Sequence, residues 1–240
     1  AHWEFTYGAN RVKSVIAKDF AGKIELLAQN VRTADFDDPV FNAYTLREIN
    51  GAPVAIIGQA FPYTPIANPR HFVADWTFGI QEERLQKNVD EARAKGAHAV
   101  ILLSHNGMDV DLKLASRVTG IDVILGGHTH DAVPAPIAVK NARGATLVTN
   151  AGSNGKFLAV LDLDVRNGAV QGHRYKLLPV FANLIAPDKT MAELIAKSRA
   201  PHAAKLAEPL AVSEGTLYRR GNFNGTFDQL ILDALMEATG

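Results

Sequence analysis

The sequence predicts an α/β protein whose centre is a parallel β-sheet. Residues 99–103 and 121–125 are short apolar runs typical of buried strands. Residues 109–118, between them, carry apolar side chains at four-residue spacing and acidic residues in the first turn, which indicates a helix. Strand, helix and strand at this spacing form a βαβ unit, so the two strands should run parallel.

Composition supports a folded domain and excludes several classes of protein. The 240 residues are 47% hydrophobic, and 25 Lys and Arg balance 25 Asp and Glu. Zero net charge argues against a dedicated nucleic-acid binder or a polybasic membrane-surface protein. No apolar run approaches the roughly 18 residues that span a bilayer. Because there is no cysteine, disulfides, iron–sulfur clusters and Cys nucleophiles are excluded, and a metal would need His, Asp, Glu or Asn ligands.

Further elements are predicted on both sides of the βαβ unit. Upstream, Asn50-Gly51 separates two strand patterns and predicts a hairpin over residues 43–58. A proline-rich and aromatic-rich segment at 60–79 predicts a long structured loop of the kind that often carries function. The remaining predictions are a helix around residues 12–16, a strand at 24–31, a surface helix at 81–95, strands at 145–149, 157–165 and 169–178, and helices at 188–206 and 226–238.

The two ends of the chain indicate an internal piece of a longer protein. The sequence begins at Ala1 rather than Met, opens directly into structured residues, and stops straight after a helical pattern. The lack of a visible signal peptide therefore says nothing about location.

Three of the eight histidines follow the two parallel strands. His105 lies just past the first strand, and His128 and His130 lie just past the second. Since carboxyl ends of adjacent parallel strands share one edge of a sheet, these side chains should meet there. They predict a metal site. Because two-metal sites hold their ions about 3.5–4 Å apart, the short segment that carries His128 and His130 could supply ligands to both ions. The alternative is that these three are polar loop histidines and not metal ligands. His2 is ambiguous by spacing, and we expect no ligand role for His71, His98, His173 or His202.

The histidine motifs resemble those of a known superfamily. SHNG at 104–107 and GHTHD at 127–131 resemble the metal motifs of the metallophosphoesterase (calcineurin-like) superfamily, in its 5′-nucleotidase branch. Residues 2–8, 102–111 and 122–134 are more closely similar to the SoxB family of sulfur-oxidation thiosulfohydrolases. The resemblance implies a four-layered αββα sandwich with two metals between its sheets. Residues 1–182 would be most of that domain, N-terminally truncated, and 183–240 a linker helix and the start of the 5′-nucleotidase-type C-terminal domain.

The resemblance also implies a ligand set. His2 stands where the superfamily carries an Asn ligand, so His2, His105 and His128 would bind one metal and His130 the other. The superfamily's Asp-x-His motif and bridging Asp would precede Ala1. Two divalent ions are implied, with manganese by resemblance, although His and carboxylate ligands suit Mn, Zn and Fe alike.

The activity implied is that of a thiosulfohydrolase in thiosulfate oxidation. A metal-bound hydroxide, with no catalytic side chain, would hydrolyse the terminal sulfone of a carrier cysteine-S-thiosulfonate and release sulfate. Trp3 stands where nucleotidases carry a catalytic His. Tryptophan cannot protonate a leaving group, and a sugar alkoxide benefits from general acid help, whereas a persulfide leaves unprotonated. Trp3 is then either a wall of the substrate pocket or a plain core residue.

Residues 217–225 resemble the start of the nucleotidase C-terminal domain, where an arginine commonly contacts the anionic substrate. Arg219 or Arg220, with Asn222 beside them, could hold sulfonate oxygens. The alternative is a pair of surface arginines.

The resemblance finally implies the carrier protein SoxYZ as partner and a periplasmic location, with no nucleic acid and no membrane insertion. Two rival functions remain open. One is a 5′-nucleotidase or related phosphoesterase with the same dimetal site. The other is a metal-free carrier-binding domain.

Overall fold

The computed structural model describes residues 2–219 and 224–240, which divide into two compact units, Ala1–Phe181 and Ala182–Gly240. This boundary lies beside the domain boundary expected from the sequence, and the nature of the second unit stays a prediction. The first unit contains, in chain order, a 3-10 helix Trp3–Tyr7, α1 (Ala9–Lys18), β1 (Arg32–Thr33), β2 (Tyr44–Ile49), β3 (Ala52–Gln59), α2 (Thr64–Ala67), a 3-10 helix Arg70–Phe72, β4 (Trp76–Thr77), α3 (Glu82–Ala94), β5 (Ala99–Ser104), α4 (Met108–Arg117), β6 (Val123–Gly126), β7 (Ile137–Asn141), β8 (Gly144–Asn150), β9 (Phe157–Arg166) and β10 (Ala169–Pro179).

A six-stranded sheet organises this unit, with the strand order β2-β3-β5-β6-β8-β7. The four central strands β3, β5, β6 and β8 are parallel. The edge strands β2 and β7 pair antiparallel with their neighbours. The predicted α/β class, the parallel βαβ unit and the Asn-Gly hairpin are therefore confirmed.

Helices α3 and α4 cover one face of the sheet. Leu85 and Val89 of α3 and Leu114 of α4 are buried in one cluster with Ile57 and Leu102 of the strands. The four-residue spacing places such side chains on one stripe of each helix, so the helices lie flat on the sheet. On the strands, alternate side chains point to the opposite face.

The opposite face carries the hairpin of β9 and β10 near one end. Tyr175 of β10 ties the hairpin to the sheet, because its hydroxyl accepts a hydrogen bond from Thr149 Oγ1 (2.8 Å) and donates one to the Val133 carbonyl (3.1 Å). Leu103 and Leu125 on this face are partly exposed. The layers of helix, sheet and sheet expected for the sandwich are thus present in part within the described residues.

A second apolar cluster holds the N-terminal helices against the 60–79 segment. Phe5 is buried between Trp76 and Phe78, with ring centroids 6.1 and 5.1 Å away in edge-to-face geometry. Edge-to-face pairs are the favoured arrangement of aromatic rings. This packing fixes the 3-10 helix that starts directly after His2.

Two sequence predictions are wrong in detail. Residues 24–31 do not form a strand, because they pair with a neighbouring segment only through an isolated bridge, Leu27 with Asn42, and not through a continuous ladder. The side chain of Asn30 instead ties this segment to residues 60 and 79. Asn30 Nδ2 donates to the carbonyls of Ala60 and Gly79 (2.9 and 2.7 Å), and the Ala60 N–H donates to Asn30 Oδ1. Strand β7 was not predicted, since its exposed edge position gives it no buried apolar run.

The second unit is helical, with α5 (Lys189–Arg199), a 3-10 helix Ala200–His202, α6 (Ala203–Leu206) and α7 (Thr226–Thr239). Asp188 caps α5, because its carboxylate accepts the Met191 N–H at 2.8 Å. No helix among the described residues combines the length and the apolar character needed to cross a membrane.

Arg93 of α3 ties the amino-terminal edge of the sheet together. Its guanidinium pairs with Asp122 at 2.6 Å, and Asp122 also accepts the Val100 N–H at 2.7 Å. The same guanidinium donates to three backbone carbonyls, those of Ala97, His98 and Gly120. Removing it would leave these partly buried acceptors unsatisfied.

We predict that Arg93→Ala lowers the free energy of unfolding by about 2–4 kcal/mol, since a largely buried ion pair and its hydrogen bonds are lost. Urea unfolding measures this. Arg143→Ala, which removes a solvent-exposed pair with Asp90, is the control and should cost less than about 0.5 kcal/mol. Equal losses in both variants would contradict the role assigned to Arg93.

Candidate metal centre

Three histidines from distant parts of the chain meet at the carboxyl edge of the parallel strands. His105 directly follows β5, His128 follows β6, and His2 precedes the first 3-10 helix. The candidate ligand nitrogens all lie within 4.8 Å of one another, and His105 Nε2 is 3.0 Å from His2 Nδ1. The expected meeting of His105 with His128 is therefore what the structure shows, and His2 joins them.

Partial burial favours the neutral form of these imidazoles. It lowers the pKa of His2 and of His128, and it lowers the pKa of His105 to about 4; neighbouring imidazoles add to the effect at His105 and His128. Neutral imidazole is the form that binds a metal. The sequence predicted none of these shifts, because they arise from packing.

The cluster fits a divalent metal ion. His128 Nδ1 is buried and has no hydrogen-bond partner, and a buried polar atom without a partner is costly unless something else satisfies it. Bound metal would do so, with nitrogen donors at about 2.0–2.1 Å in the case of zinc. Within residues 2–219 and 224–240 this is the one group of three or more candidate ligands found together.

The loop after β6 holds two histidines in left-handed backbone conformations. His128 has φ 73° and His130 has φ 62°, a region that costs a non-glycine residue about 1–2 kcal/mol. Thr129, between them, accepts the Met108 N–H at 3.0 Å and donates to Asp131 at 2.5 Å. The loop is therefore held against the start of α4, which is a constraint typical of functional sites.

His130 lies outside the three-histidine cluster and is exposed. Its predicted role as a ligand of a second metal stays a prediction. His71, His98, His173 and His202 also lie outside the cluster, and the expectation that they are not ligands stays a prediction.

A chain of buried polar side chains supports the loop that carries His105. Gln59 at the end of β3 donates to Asn106 Oδ1 (3.1 Å), and Asn106 donates to Asp111 Oδ1 (3.0 Å). Ser104 also donates to Asp111 Oδ1, at 2.6 Å. The other carboxylate oxygen has no partner and lies against Gly126, where a Cβ would come within 2.9 Å of it. This network joins the ends of β3, β5 and β6.

The candidate substrate-binding residues have mixed outcomes. Trp3 is 70% exposed, so the alternative of a plain core tryptophan is wrong. Its ring lies 6.3 Å from that of His2, which leaves the role of pocket wall as a prediction. Arg219 is exposed in the second unit, and Arg220 and Asn222 lie outside the described residues.

Phe61 is a site residue that the sequence did not single out. It lies two residues past the carboxyl end of β3, and its ring stacks on the imidazole of His128 with centroids 3.9 Å apart. The only signal was its place in the proline-rich and aromatic-rich segment 60–79, where function was expected without a named residue.

Comparison with known proteins agrees with the fold. The structure is similar to the Thermus thermophilus sulfate thiohydrolase SoxB, with a TM-score of 0.88 and 38% identity over 99% of this chain and 42% of that one. A 5′-nucleotidase precursor, also from Thermus thermophilus, is similar with a TM-score of 0.77 and 26% identity, over 90% of this chain and 45% of that one. The snake venom 5′-nucleotidase of Naja atra is 30% identical over 53% of this chain and 24% of its own length. No protein-family model matches.

These findings define the class as an α/β fold shared with SoxB and the 5′-nucleotidases. They support a fragment of the metallophosphoesterase superfamily, in the branch that contains the 5′-nucleotidases and SoxB. Members of this branch use a dimetal site. The chain spans less than half the length of these three relatives.

Gly127 leaves room for the His105 ring. A Cβ at this position would lie 3.1 Å from His105 Nδ1 and 3.4 Å from the Ser104 carbonyl. We predict that Gly127→Ala in the full-length protein displaces the imidazole and weakens Mn²⁺ binding about tenfold or more, measured by calorimetry. Gly172→Ala, where a Cβ meets nothing within 4 Å, should bind Mn²⁺ unchanged. Equal affinities in the two variants would show that this close contact does not position His105.

Asp111 should make stability depend on pH. Burial raises the pKa of this carboxyl to about 6, against the hydrogen bonds from Ser104 and Asn106. A raised carboxyl pKa stabilises the fold at low pH, and this stabilisation is lost as pH rises through about 6.

We predict that the stability of Asp111→Asn, which cannot ionise, rises relative to that of the unaltered protein by about 1 kcal/mol when the pH is raised from 5 to 7.5. Asp111→Ala should lose stability at both pH values, because Ser104 and Asn106 lose their acceptor. Urea unfolding at the two pH values measures both effects. A constant difference between the Asp111→Asn variant and the unaltered protein would refute the buried ionisation.

Proposed function

We propose that the full-length protein is a SoxB-type thiosulfohydrolase that removes sulfate from a carrier cysteine-S-thiosulfonate. The observation that carries the proposal is the 38% identity to the Thermus thermophilus SoxB over 99% of this chain. The cluster of His2, His105 and His128 supports it. This goes further than membership of the branch, whose other relatives here are named 5′-nucleotidases.

The ligands available support the metal requirement. His2, His105 and His128 would hold one ion, and His130 would contribute to the second. Bound metals of this kind lower the pKa of water and neutralise charge on oxygen in the transition state. Manganese is our proposal for their identity, because imidazole ligands by themselves also suit zinc and iron.

The proposed reaction balances without a protein-borne acid. The oxygen of water forms a bond to the terminal sulfur of the S-thiosulfonate, and the bond between that sulfur and its neighbouring sulfur breaks. The electron pair leaves with the cysteine persulfide anion, the oxygen of water leaves in sulfate, and both protons of the water pass to solvent. Trp3 beside His2 cannot protonate a leaving group, which suits a persulfide better than a sugar alkoxide.

The proposed partner is the carrier SoxYZ, in the periplasm. Support comes from the accessibility of the site. The three histidines are only partly buried. Trp3, next to His2, and Tyr63, whose ring packs on that of Phe61, are exposed. A substrate tethered to a protein must reach the metals from outside, so an open site edged by aromatic side chains suits it.

The test is metal content and activity of the full-length protein, with His128→Ala as the variant. We expect two manganese ions per chain and sulfate release from a cysteine-S-thiosulfonate adduct of the carrier. The variant should lose more than about a hundredfold in activity. His173→Ala, on exposed β10, is the control and should keep both properties.

Other outcomes contradict the proposal in different ways. Bound metal with hydrolysis of AMP, and no sulfate release, would make the protein a nucleotidase and leave Trp3 without the role given to it. A protein that binds no metal at all would fit a carrier-binding domain instead.

A further inference from the structure

We propose that Phe61 is a positioning residue of the metal centre, which holds the three imidazoles in place before metal arrives. This rests on the metal centre proposed above, and not on the identity of the substrate. Phe61 is almost fully buried, and its ring has contacts with all three candidate ligands.

The ring contacts form one connected set. Phe61 stacks on His128 with an interplanar angle of 26°, and its centroid lies 5.2 Å from that of His2 and 6.4 Å from that of His105. Each imidazole therefore loses part of its rotational freedom to the same neighbour. Metal sites depend on such outer groups to orient their ligands.

The stacked imidazole is also the one that most needs support. His128 has a left-handed backbone (φ 73°), and its buried Nδ1 has no hydrogen-bond partner. A hydrogen bond to a ring nitrogen commonly orients a histidine at a metal site. Because Nδ1 has no such partner before metal binds, the face-to-face contact with Phe61 holds the ring in place.

The backbone around Phe61 is itself fixed. Asn30 holds Ala60 by two hydrogen bonds, one to its carbonyl and one from its N–H, at 2.9 and 2.8 Å. The carbonyl of Phe61 accepts the Thr64 hydroxyl at 2.7 Å. The ring is therefore carried on a rigid segment at the end of β3, which is a requirement for a preorganised site.

The experiment measures Mn²⁺ binding to the full-length protein by calorimetry, with Mn²⁺ alone and no substrate. We expect Phe61→Leu to weaken binding about tenfold, and Phe61→Tyr, which keeps the stacked ring, to restore it to within about twofold. Far-ultraviolet circular dichroism and thermal unfolding of the metal-free variants show whether they are folded. If Phe61→Leu is not folded, Phe61→Met takes its place in the experiment.

Phe41→Leu is the matched control. Phe41 packs edge-to-face on Trp76 in the second apolar cluster, so this variant removes a similar ring away from the histidines. It should lower the thermal midpoint of the metal-free protein and leave Mn²⁺ affinity unchanged.

The outcomes separate this inference from the proposed function. If the unaltered protein binds Mn²⁺ and Phe61→Leu binds it equally well, Phe61 is only a packing residue and the inference is wrong. The inference is also overturned if Phe41→Leu loses as much affinity. If the unaltered protein binds no Mn²⁺, the metal centre itself is contradicted.

Discussion

Parallel pairing of the central strands is the constraint on which the rest of this protein depends. It places the carboxyl ends of β3, β5 and β6 side by side, and a functional residue follows each of them. Phe61 comes from β3, His105 from β5 and His128 from β6. The site therefore exists only because α3 and α4 bury one face of the sheet and keep these strands in register.

Buried polar groups turn that shared edge into a rigid one. Gln59, Ser104, Asn106 and Asp111 lie beneath the histidine loops and satisfy most of their hydrogen-bonding atoms among themselves. Such a network is strong in a low-dielectric interior, and costly where it is incomplete. Two buried atoms near this network have no hydrogen-bond partner, Asp111 Oδ2 in α4 and His128 Nδ1 in the loop after β6, and each lowers stability next to the candidate metal centre.

Local apolar patterns in the sequence predict the central strands and helices, but they do not predict the features that depend on tertiary packing. The strands around His105 and His128 have short apolar runs, so the βαβ unit and the meeting of those two histidines followed from periodicity and topology. Residues 24–31 have the same apolar pattern, but they pair with Asn42 only through an isolated bridge, and a strand was wrongly expected. His2 reaches the site through packing of Phe5 against Trp76 and Phe78, which spacing along the chain does not encode.

The chemistry proposed for the site depends on Trp3, which stands where the resemblance implies a catalytic His in nucleotidases. Burial favours the neutral form of the three imidazoles, which is the form that binds a metal. Trp3 lies beside His2 and can contribute area and shape to a pocket, but no proton to a leaving group. For the proposed function this favours a leaving group of low pKa, such as a persulfide, over a sugar alkoxide.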